Sequence, residues 1–492
     1  MVDDVITSGV DPIVGRQGPV ALKSPRHPSP RVRWFGTNGI REVVGQRLTA
    51  PLVAQIAGAV ARAVPVGRPI AVGWDGRTSS PEFARIVSAT LALAGHEVVE
   101  LGLLPTPAIQ YNVRALRAQF GVIVTASHNP PEFNGIKLIA ADGLEVPRRV
   151  EEAVESLIDA GTVRAARYDG LGHVRRDTEG PARYVDRIVQ LVDHEAIRKR
   201  SFSIVLDCGN GASVVSSPML LARLGCRVLT LNAQVDGTFP GHLSEPVEAN
   251  LADLMRTVPA VGADLGVAHD GDADRAVFVD SKGHYVPGEQ MLTLLARTIV
   301  RAHNGGIVVV PVSASQSVED AVRAHGGEVV YTRVGSPVIT REMLSRKAVF
   351  GGEDNGGHVF PKLQLARDGA MTLAAVLELL VHEDVSLVEI LEDVPRYVVI
   401  KEKVTCPVEV RGKVLDLLVA EQKRLGGRYL TLDGLKVFTE SGWLLLRPSG
   451  TEPLVRVYAE AQSEEKAQEL MDGGIRRVEA AVASATSGAS AS

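Results

Sequence analysis

The sequence predicts an α/β fold in which three consecutive α/β domains precede a smaller C-terminal α+β domain. A pattern of apolar strand, polar loop, helix and second strand occurs three times, starting near residues 69, 203 and 306. Such alternation is typical of parallel or mostly parallel sheets. After about Tyr397 short alternating strands replace the pattern, which is typical of an α+β domain. A chain of 492 residues is long enough for three or four domains.

The repeats and the composition of the two ends divide the chain. Residues 1–30 are rich in Pro, Gly, Ser and Arg without apolar periodicity, and the last residues are of low complexity. The expected organisation is a flexible N-terminal extension (1–30), α/β domain I (31–180), α/β domain II (181–284), α/β domain III (285–395), α+β domain IV (396–482) and a disordered tail (483–492). In domain IV short strands are predicted at 405–410, 436–440, 443–450 and 454–461.

Composition excludes several classes of protein. The net charge of -5 provides no strong basic field, so we expect no nucleic-acid partner. The three cysteines form no CxxC pair, which argues against a disulfide framework or a zinc site and favours a reducing cytoplasm. The N-terminus has no signal-peptide pattern, and no apolar run approaches the ~18 residues of a membrane span. We therefore expect a cytoplasmic protein with no membrane partner.

The sequence TASHNP (Thr125–Pro130) follows an apolar run at 120–124 that predicts a short buried strand. Open α/β sheets keep their ligands at the carboxyl ends of their strands, so Ser127 is a candidate for chemistry. Two consecutive prolines prevent a helix from starting at once and leave the serine on a stiff loop. Lys137 lies ten residues after the serine, and we expect a turn at Gly135 to bring it back. A serine beside a cation suits a phosphate.

The sequence DGDADR contains three aspartates at alternating positions, Asp270, Asp272 and Asp274. In a tight loop these carboxylates can converge on a hard divalent cation, and without one they would repel each other. An EF-hand loop begins similarly but needs glycine at its sixth position and glutamate at its twelfth. This chain has Arg275 and Ser281 there, so the motif predicts a different cation site.

The sequence RPSGTEP places Arg447, Ser449, Gly450 and Thr451 at the end of a predicted strand. One guanidinium, two hydroxyls and backbone amides freed by a glycine form a group of donors, and no acid occurs before Glu452. Such a group predicts a phosphate-binding loop.

Two glycine-rich loops each present charged or polar side chains. In FGGEDNGGH, glycines flank Glu353 and Asn355, and a carboxylate beside an amide suits the vicinal hydroxyls of a sugar. In FGTNGIRE, Arg41 follows two glycines that permit close backbone turns. The first loop is a candidate for substrate contact, and Arg41 would project from the end of the second.

Together these motifs resemble the active-site loops of the α-D-phosphohexomutase superfamily, the phosphoglucomutases and phosphomannomutases. The resemblance extends from Trp34 to about Ala480. It implies three related α/β domains with mixed sheets and a smaller fourth α+β domain around a central cleft. The GGE-x-N-GG form of the sugar loop resembles archaeal-type members, some named phosphomannomutase/phosphoglucomutase and others phosphoglucosamine mutase.

The resemblance also implies roles for individual residues. The implied catalytic residues are Ser127, Lys137, Arg41 and His128, the metal ligands are Ser127, Asp270, Asp272 and Asp274, and the substrate-binding residues are Arg275, Glu353, Asn355, Arg447, Ser449, Gly450 and Thr451. Ser127 would carry a phosphoryl group, one oxygen of which would join the aspartates in binding Mg²⁺. Lys137 is favoured for acid–base work because an arginine rarely gives up its proton. His128 is either a proton-transfer assistant or a phosphate ligand.

The reaction implied is the interconversion of hexose 1-phosphate and hexose 6-phosphate, with glucose and mannose as the sugars and a bound hexose 1,6-bisphosphate as intermediate. Its partners would be small sugar phosphates, and the chain a monomer or homodimer. A phosphoglucosamine mutase, which converts glucosamine 6-phosphate to glucosamine 1-phosphate, is the main alternative. A phosphatase would not need a second phosphate loop about 320 residues from its nucleophile. A regulator that binds sugar phosphates without catalysis would not need Ser127, Lys137 and three aspartates together.

Overall fold

The computed structural model describes residues 33–36, 38–161, 164–449 and 452–487. The predicted N-terminal extension, residues 488–492 of the predicted tail, and two predicted phosphate ligands, Gly450 and Thr451, lie outside the described residues. The compact unit Phe35–Ser492 contains four sheets. Within the described part of the chain, no helix is both long and apolar enough to cross a membrane.

The first domain has a six-stranded sheet of order β1-β5-β4-β2-β3-β6. The strands β2, β3, β4 and β6 are parallel, while β5 is antiparallel to both β4 and β1. Its elements are β1 (Ile40–Val43), α1 (Ala50–Ala63), β2 (Ile70–Trp74), α2 (Ser80–Leu93), β3 (Val98–Leu103), α3 (Thr106–Ala115), β4 (Phe120–Val124), β5 (Phe133–Ala140), α4 (Arg148–Asp159) and β6 (Val174–Arg176). The strand predicted before TASHNP is β4.

The second domain has a five-stranded sheet of order β11-β10-β9-β7-β8. Its elements are α5 (Gly180–Val189), α6 (His194–Arg200), β7 (Ser203–Asp207), α7 (Ser217–Arg223), β8 (Arg227–Leu231), α8 (Ala252–Ala260), β9 (Leu265–His269), β10 (Ala276–Val279) and β11 (Tyr285–Val286). Because β11 pairs with β10, this domain extends to residue 286. The sheet thus extends two residues beyond the predicted boundary at residue 284.

The third domain has a four-stranded sheet of order β13-β12-β14-β15. Its elements are α9 (Gly288–Ala302), β12 (Gly306–Pro311), α10 (Gln316–Ala324), β13 (Gly327–Thr332), α11 (Ser336–Arg346), β14 (Phe350–Gly352), β15 (His358–Val359), α12 (Gly369–Glu383) and α13 (Leu387–Glu392).

The three sheets share one topology, which confirms the prediction of three related α/β domains with mixed sheets. Each contains a shared set of four strands that starts with β2, β7 or β12. The first strand of the set lies between the second and the third, parallel to both, and the fourth pairs antiparallel to the third. The shared orders are β3-β2-β4-β5, β8-β7-β9-β10 and β13-β12-β14-β15. Three of the predicted functional loops therefore occupy the same topological position, the connection between the third and fourth strands, at 125–132, 270–275 and 353–357.

The fourth domain is an antiparallel sheet of order β16-β20-β19-β18-β17 with two long helices, as predicted for an α+β domain. Its elements are β16 (Val398–Thr405), α14 (Arg411–Leu425), β17 (Tyr429–Leu430), β18 (Leu435–Phe438), β19 (Gly442–Pro448), β20 (Leu454–Ala461) and α15 (Glu464–Ser487). The strand predicted at 405–410 is wrong: β16 ends at Thr405, and Pro407, which lacks an N–H group, comes two residues later. The helix α15 includes residues 483–487 of the predicted tail.

Several apolar clusters stabilise the unit. One runs through the first three domains, and another belongs to the fourth. A small cluster of Val312, Trp443 and Leu445 joins the third domain to the fourth. Lys436 is buried at this junction, where its Nζ lies 4.1 Å from the Trp443 ring centroid and donates to the carbonyl of Ala314 at 3.0 Å. This buried lysine thus links a strand of the fourth domain to the third domain.

A buried hydrogen bond between the second and third domains provides a test of how these two domains pack. The Tyr184 hydroxyl on α5 donates to the carboxylate of Asp368, the residue that caps α12 through the N–H of Met371. Burial raises the pKa of Asp368 to about 6, so the carboxylate is charged at pH 7.5. We expect Tyr184→Phe to lower the free energy of unfolding by about 1.5–3 kcal/mol at that pH, because a charged acceptor loses its donor. Urea denaturation measures the change.

The matched control is Tyr111→Phe. The ring of Tyr111 lies 6.0 Å from that of Tyr184, and its hydroxyl has no hydrogen bond to the described residues. We expect its effect to be below about 0.5 kcal/mol. Equal destabilisation by the two variants would contradict the assigned role of the Tyr184 hydroxyl.

Candidate active site

Ser127 is the third residue of the loop after β4 and is fully buried. Its φ angle of 52° is in the left-handed region, which is strained for a serine. The side-chain Oγ lies 3.2 Å from Nδ1 of His128 and donates to Oδ2 of Asp270 at 3.1 Å. Since Ser127 and Asp270 are 143 residues apart, the fold brings the first predicted loop into direct contact with the second.

Lys137 reaches the same centre from within β5. It pairs across the hairpin with Ile123, and its Nζ donates to Oδ2 of Asp272 at 2.9 Å. The predicted turn at Gly135 is wrong, because this residue lies inside the strand. A Cβ there would stand 2.0 Å from the carbonyl oxygen of Ile40, so the glycine allows β1 to approach closely. Antiparallel pairing, rather than a turn, brings the lysine to the aspartates of the second loop.

The three aspartates of the second loop converge as predicted. Asp270, Asp272 and Asp274 are buried, and one oxygen of each lies within 4.8 Å of the others. The second oxygens of Asp272 and Asp274 are buried without a hydrogen-bond partner among the described residues. Buried carboxylate oxygens normally have partners, so these atoms fit a hard divalent cation such as Mg²⁺.

The pKa values of two of these carboxyl groups are shifted in opposite directions. Burial, reinforced by Asp274 and Asp272, raises the pKa of Asp270 well above its ordinary range. Burial also acts to raise the pKa of Asp272, but the ammonium of Lys137 and the hydroxyl of Thr106 outweigh it and lower that pKa. One carboxyl of the group therefore prefers a proton unless a cation is bound.

Cationic and neutral donors surround the Ser127 hydroxyl. Arg275 donates from Nη2 to Nδ1 of His128 at 2.9 Å, and Arg41 donates from Nη1 to Oδ1 of Asn129 at 2.9 Å. Burial, together with Arg275, lowers the pKa of His128 to about 2, so its ring is neutral. Burial likewise lowers the pKa of Arg41. This arrangement suits an anionic group on the serine.

Arg367, which was not among the predicted site residues, connects two loops of the site. Its Nη1 donates to Oε2 of Glu353 at 2.8 Å, and its Nη2 donates to Oδ2 of Asp274. Burial acts to lower the pKa of Arg367, but Asp274 and Glu353 outweigh it and raise the pKa. The available sequence signal was its position directly before Asp368, the residue that caps α12.

The predicted sugar loop connects β14 and β15. Glu353 is 4% exposed, and its N–H donates to the carbonyl of Gly357 at 3.0 Å. Oδ1 of Asn355 accepts from the N–H of Gly357 at 3.1 Å, so this predicted ligand also shapes the loop. Gly356 has a φ angle of 87°, and a Cβ there would lie 2.6 Å from the carbonyl oxygen of Ala276. The loop therefore packs tightly against the second domain.

The predicted phosphate loop connects β19 and β20 in the fourth domain. Nε of Arg447 donates to Oδ2 of Asp433 at 2.9 Å, and that oxygen also accepts from the N–H of Val334 at 3.3 Å. Arg411, a cation that the sequence did not indicate, donates to the carbonyl of Ser449. The loop is thus linked to the third domain through Asp433.

Three related α/β domains and an appended α+β domain that carry these loops define the phosphohexomutase class. Models of the phosphoglucomutase/phosphomannomutase family match the chain in four parts: alpha/beta/alpha domain I at 32–165, domain II at 182–283, domain III at 287–397 and the C-terminal domain at 404–473. The chain belongs to this family and is a phosphohexomutase.

Similar proteins carry more than one name. A "Phosphoglucomutase/phosphomannomutase" of Thermococcus kodakarensis is 38% identical over 91% of this chain and 99% of its own length. A "Probable phosphoglucosamine mutase" of Methanopyrus kandleri is 40% identical over 89% of this chain and 96% of its own. A crystal structure of a phosphoglucomutase/phosphomannomutase family protein from Burkholderia thailandensis has a TM-score of 0.82 at 29% identity, covering 91% of this chain and 97% of its own.

The aspartate group predicts a measurable cation site. We expect Mn²⁺ to bind with a stoichiometry of about one per chain, and Asp270→Asn to weaken the affinity more than about 100-fold, since even indirect partners of metal ligands commonly contribute 10- to 100-fold. Affinity should fall as the pH is lowered, because protons compete for a carboxyl whose pKa is raised. Isothermal titration calorimetry measures both effects.

The control is Asp280→Asn in the same domain. This carboxylate accepts from the N–H groups of Lys282 and His284 in its own turn, away from the aspartate group. Its replacement should leave Mn²⁺ affinity unchanged. Unaltered binding in the Asp270 variant would contradict the site.

Proposed function

We propose that this phosphohexomutase interconverts the 1- and 6-phosphates of glucose and mannose, with phosphorylated Ser127 as phosphoryl donor and Mg²⁺ as cofactor. The observation that carries the proposal is the 3.1 Å contact between Oγ of Ser127 and Asp270, which joins a nucleophile-type side chain of one domain to the acidic group of the next. Positioning and electrostatic stabilisation are the main requirements of phosphoryl transfer. Both are supported by this contact.

Each half-reaction exchanges one O–P bond for another. The bond between Oγ of Ser127 and phosphorus breaks while a bond forms between phosphorus and the free hydroxyl of the hexose phosphate, giving hexose 1,6-bisphosphate. Lys137, hydrogen-bonded to Asp272 at 2.9 Å, gives a proton to the departing Oγ of Ser127 and takes the proton of the attacking hydroxyl, so its own charge is unchanged over the step. In the reverse step the other phosphate of the bisphosphate returns to Oγ. Mg²⁺ on the three aspartates would offset the charge of the transferring group.

We assign His128 to phosphate binding rather than proton transfer. Its Nδ1 faces the guanidinium of Arg275, which can only donate, so Nδ1 is the acceptor and the neutral ring carries its proton on Nε2. That N–H can donate to a phosphate oxygen. Arg41 and Arg275 supply positive charge at the same place.

The second phosphate of the substrate is assigned to the loop that contains Arg447 and Ser449 in the fourth domain. A mutase must hold the same sugar in two orientations, with either phosphate at the serine. The loop connecting β14 and β15 then has to contact groups present in both orientations. We assign this contact to Glu353, whose carboxylate would accept hydrogen bonds from the hydroxyls on C3 and C4 of the hexose.

Phosphoglucosamine mutase activity is the second candidate. It is favoured by the 40% identity to a relative named a probable phosphoglucosamine mutase, which exceeds the 38% to a relative named for glucose and mannose. The two candidates differ only at C2 of the sugar. Values of kcat/KM for glucose 1-phosphate, mannose 1-phosphate and glucosamine 1-phosphate, each with Mg²⁺ and a trace of the bisphosphate, distinguish them. A preference of more than about 100-fold for glucosamine would favour the second candidate, since one good polar contact can produce such a ratio.

The serine assignment predicts a phosphorylated resting enzyme. We expect intact mass to show a fraction heavier by about 80 Da, located in the peptide that contains Ser127. Ser127→Ala should lack this fraction and lose turnover, because no other group is proposed to carry the phosphate. Ser156→Ala replaces an exposed serine of the same domain that bonds to the carbonyl of Glu152, and it should behave as wild type. Full turnover by the Ser127 variant would disprove the assignment.

The sugar-loop assignment predicts a uniform effect on two substrates. Because C3 and C4 are common to glucose and mannose, Glu353→Gln should reduce kcat/KM for both by a similar factor of about 10 to 100, the range expected for a lost charged hydrogen bond. Asp354→Asn changes the neighbouring carboxylate and serves as the control, with a smaller effect expected. Loss of activity on only one sugar would show that Glu353 reads C2.

A further inference from the structure

We infer that Arg77 is a positioning residue that fixes the geometry of the Ser127 loop without touching the phosphate; this inference rests on the proposed role of Ser127. Arg77 lies in the polar loop after β2, and its side chain is fully buried. All five of its N–H groups have acceptors: Asp75 Oδ2 at 3.2 Å and the carbonyls of Ser127 at 2.8 Å, Asn129 at 2.6 Å, Pro130 at 2.7 Å and Phe133 at 2.9 Å.

The sequence of the Ser127 loop explains why it needs these donors. Pro130 and Pro131 have no N–H group, so this segment cannot form a regular strand ladder, and its buried carbonyls take donors from side chains. Buried carbonyls without donors are costly. One guanidinium supplies four donors to four carbonyls from a single point, and a lysine, with three donors in all, cannot do so. The residue type therefore matches the loop.

The ion pair also holds the N–H side of Ser127. Thr125 donates from Oγ1 to Oδ2 of Asp75 at 2.6 Å, and the same hydroxyl accepts from the N–H of Ser127 at 2.8 Å. Ser80 donates to the other oxygen of Asp75 at 2.6 Å. The N–H and the carbonyl of Ser127 are thus both connected to the Asp75–Arg77 pair.

The backbone of Ser127 requires such restraint. A serine with φ of 52° keeps this conformation only when its surroundings determine it from several sides. In the first domain Arg77 donates to the carbonyl of Ser127 and Thr125 accepts from its N–H. Ser244 of the second domain donates to the same carbonyl at 3.2 Å. This conformation directs Oγ of Ser127 toward Asp270. A less restrained loop would displace Oγ of Ser127, and with it the phosphoryl group that we propose this oxygen carries.

Arg77 has no donor left for a ligand, and its charge is balanced by Asp75. Its loss should therefore affect the chemical step and not substrate binding. We expect Arg77→Lys to lower kcat about 100-fold, the usual consequence of a displacement of about 1 Å, with KM for glucose 1-phosphate within about twofold of wild type. Arg183→Lys is the control, since Arg183 on α5 also bonds to side chains of the first domain, those of Asn112 and Asp177.

Hydrogen exchange gives a readout that does not depend on turnover. In Arg77→Lys, amides at 125–134 should exchange more than about tenfold faster, while those of α2 keep their wild-type rates. If that variant does not fold, Thr125→Val and Thr125→Ser replace it: the valine should lower kcat and loosen the loop, and the serine, which keeps the hydroxyl, should do neither.

Each outcome bears on one proposal. Unchanged kcat and unchanged exchange in a folded variant would overturn the positioning role, and so would a rise in KM at constant kcat, which would make Arg77 a substrate ligand. Failure of the wild type to convert any hexose phosphate would sink the proposed function, whereas the exchange rates would still decide the role of Arg77.

Discussion

The contact between Oγ of Ser127 and Asp270 is the constraint on which the site depends, because it requires loops from two domains to meet inside the protein. The fold meets this requirement by repetition. The loops connecting β4 to β5, β9 to β10 and β14 to β15 occupy the same position in three sheets of one topology. A hydrogen bond joins the first loop to the second, and Arg367, which lies outside the third loop, links the second to the third. The repeated domain thus supplies, in turn, a serine, an acidic group and the carboxylate that we assign to the sugar. The fourth domain adds, from an unrelated sheet, the loop that we assign to the second phosphate.

The acidic and basic side chains of the site form one connected group of ion pairs. Three buried aspartates face Lys137, Arg275 and Arg367, with nitrogen-to-oxygen distances from 2.9 to 3.9 Å for the first two cations. A buried charge that loses its partner is strongly destabilising, so these loops hold one another in place. The buried carboxylate oxygens that remain without partners among the described residues fit a divalent cation. A phosphate on the serine would lie between that cation and the surrounding arginines.

Much of this could be predicted from the sequence, because apolar runs locate strands and the motifs follow them directly. The strand Phe120–Val124 and the convergence of three aspartates are examples. Three features could not be predicted. Gly135 suggested a turn, but pairing with β1 and β4 makes its segment a strand. Arg77 and Arg367 resemble exposed arginines in sequence, and only tertiary packing shows that both are buried and join loops.

The central claim, that Ser127 passes a phosphoryl group to a sugar and takes one back, is tested most directly by following that group. Enzyme labelled with ³²P on Ser127 is mixed with unlabelled glucose 1-phosphate and Mg²⁺ and quenched within one turnover. The account predicts that the label leaves the protein for glucose 1,6-bisphosphate and then glucose 6-phosphate, at the rate of catalysis. Release of the label as inorganic phosphate, or its retention on Ser127 while product forms, would contradict it.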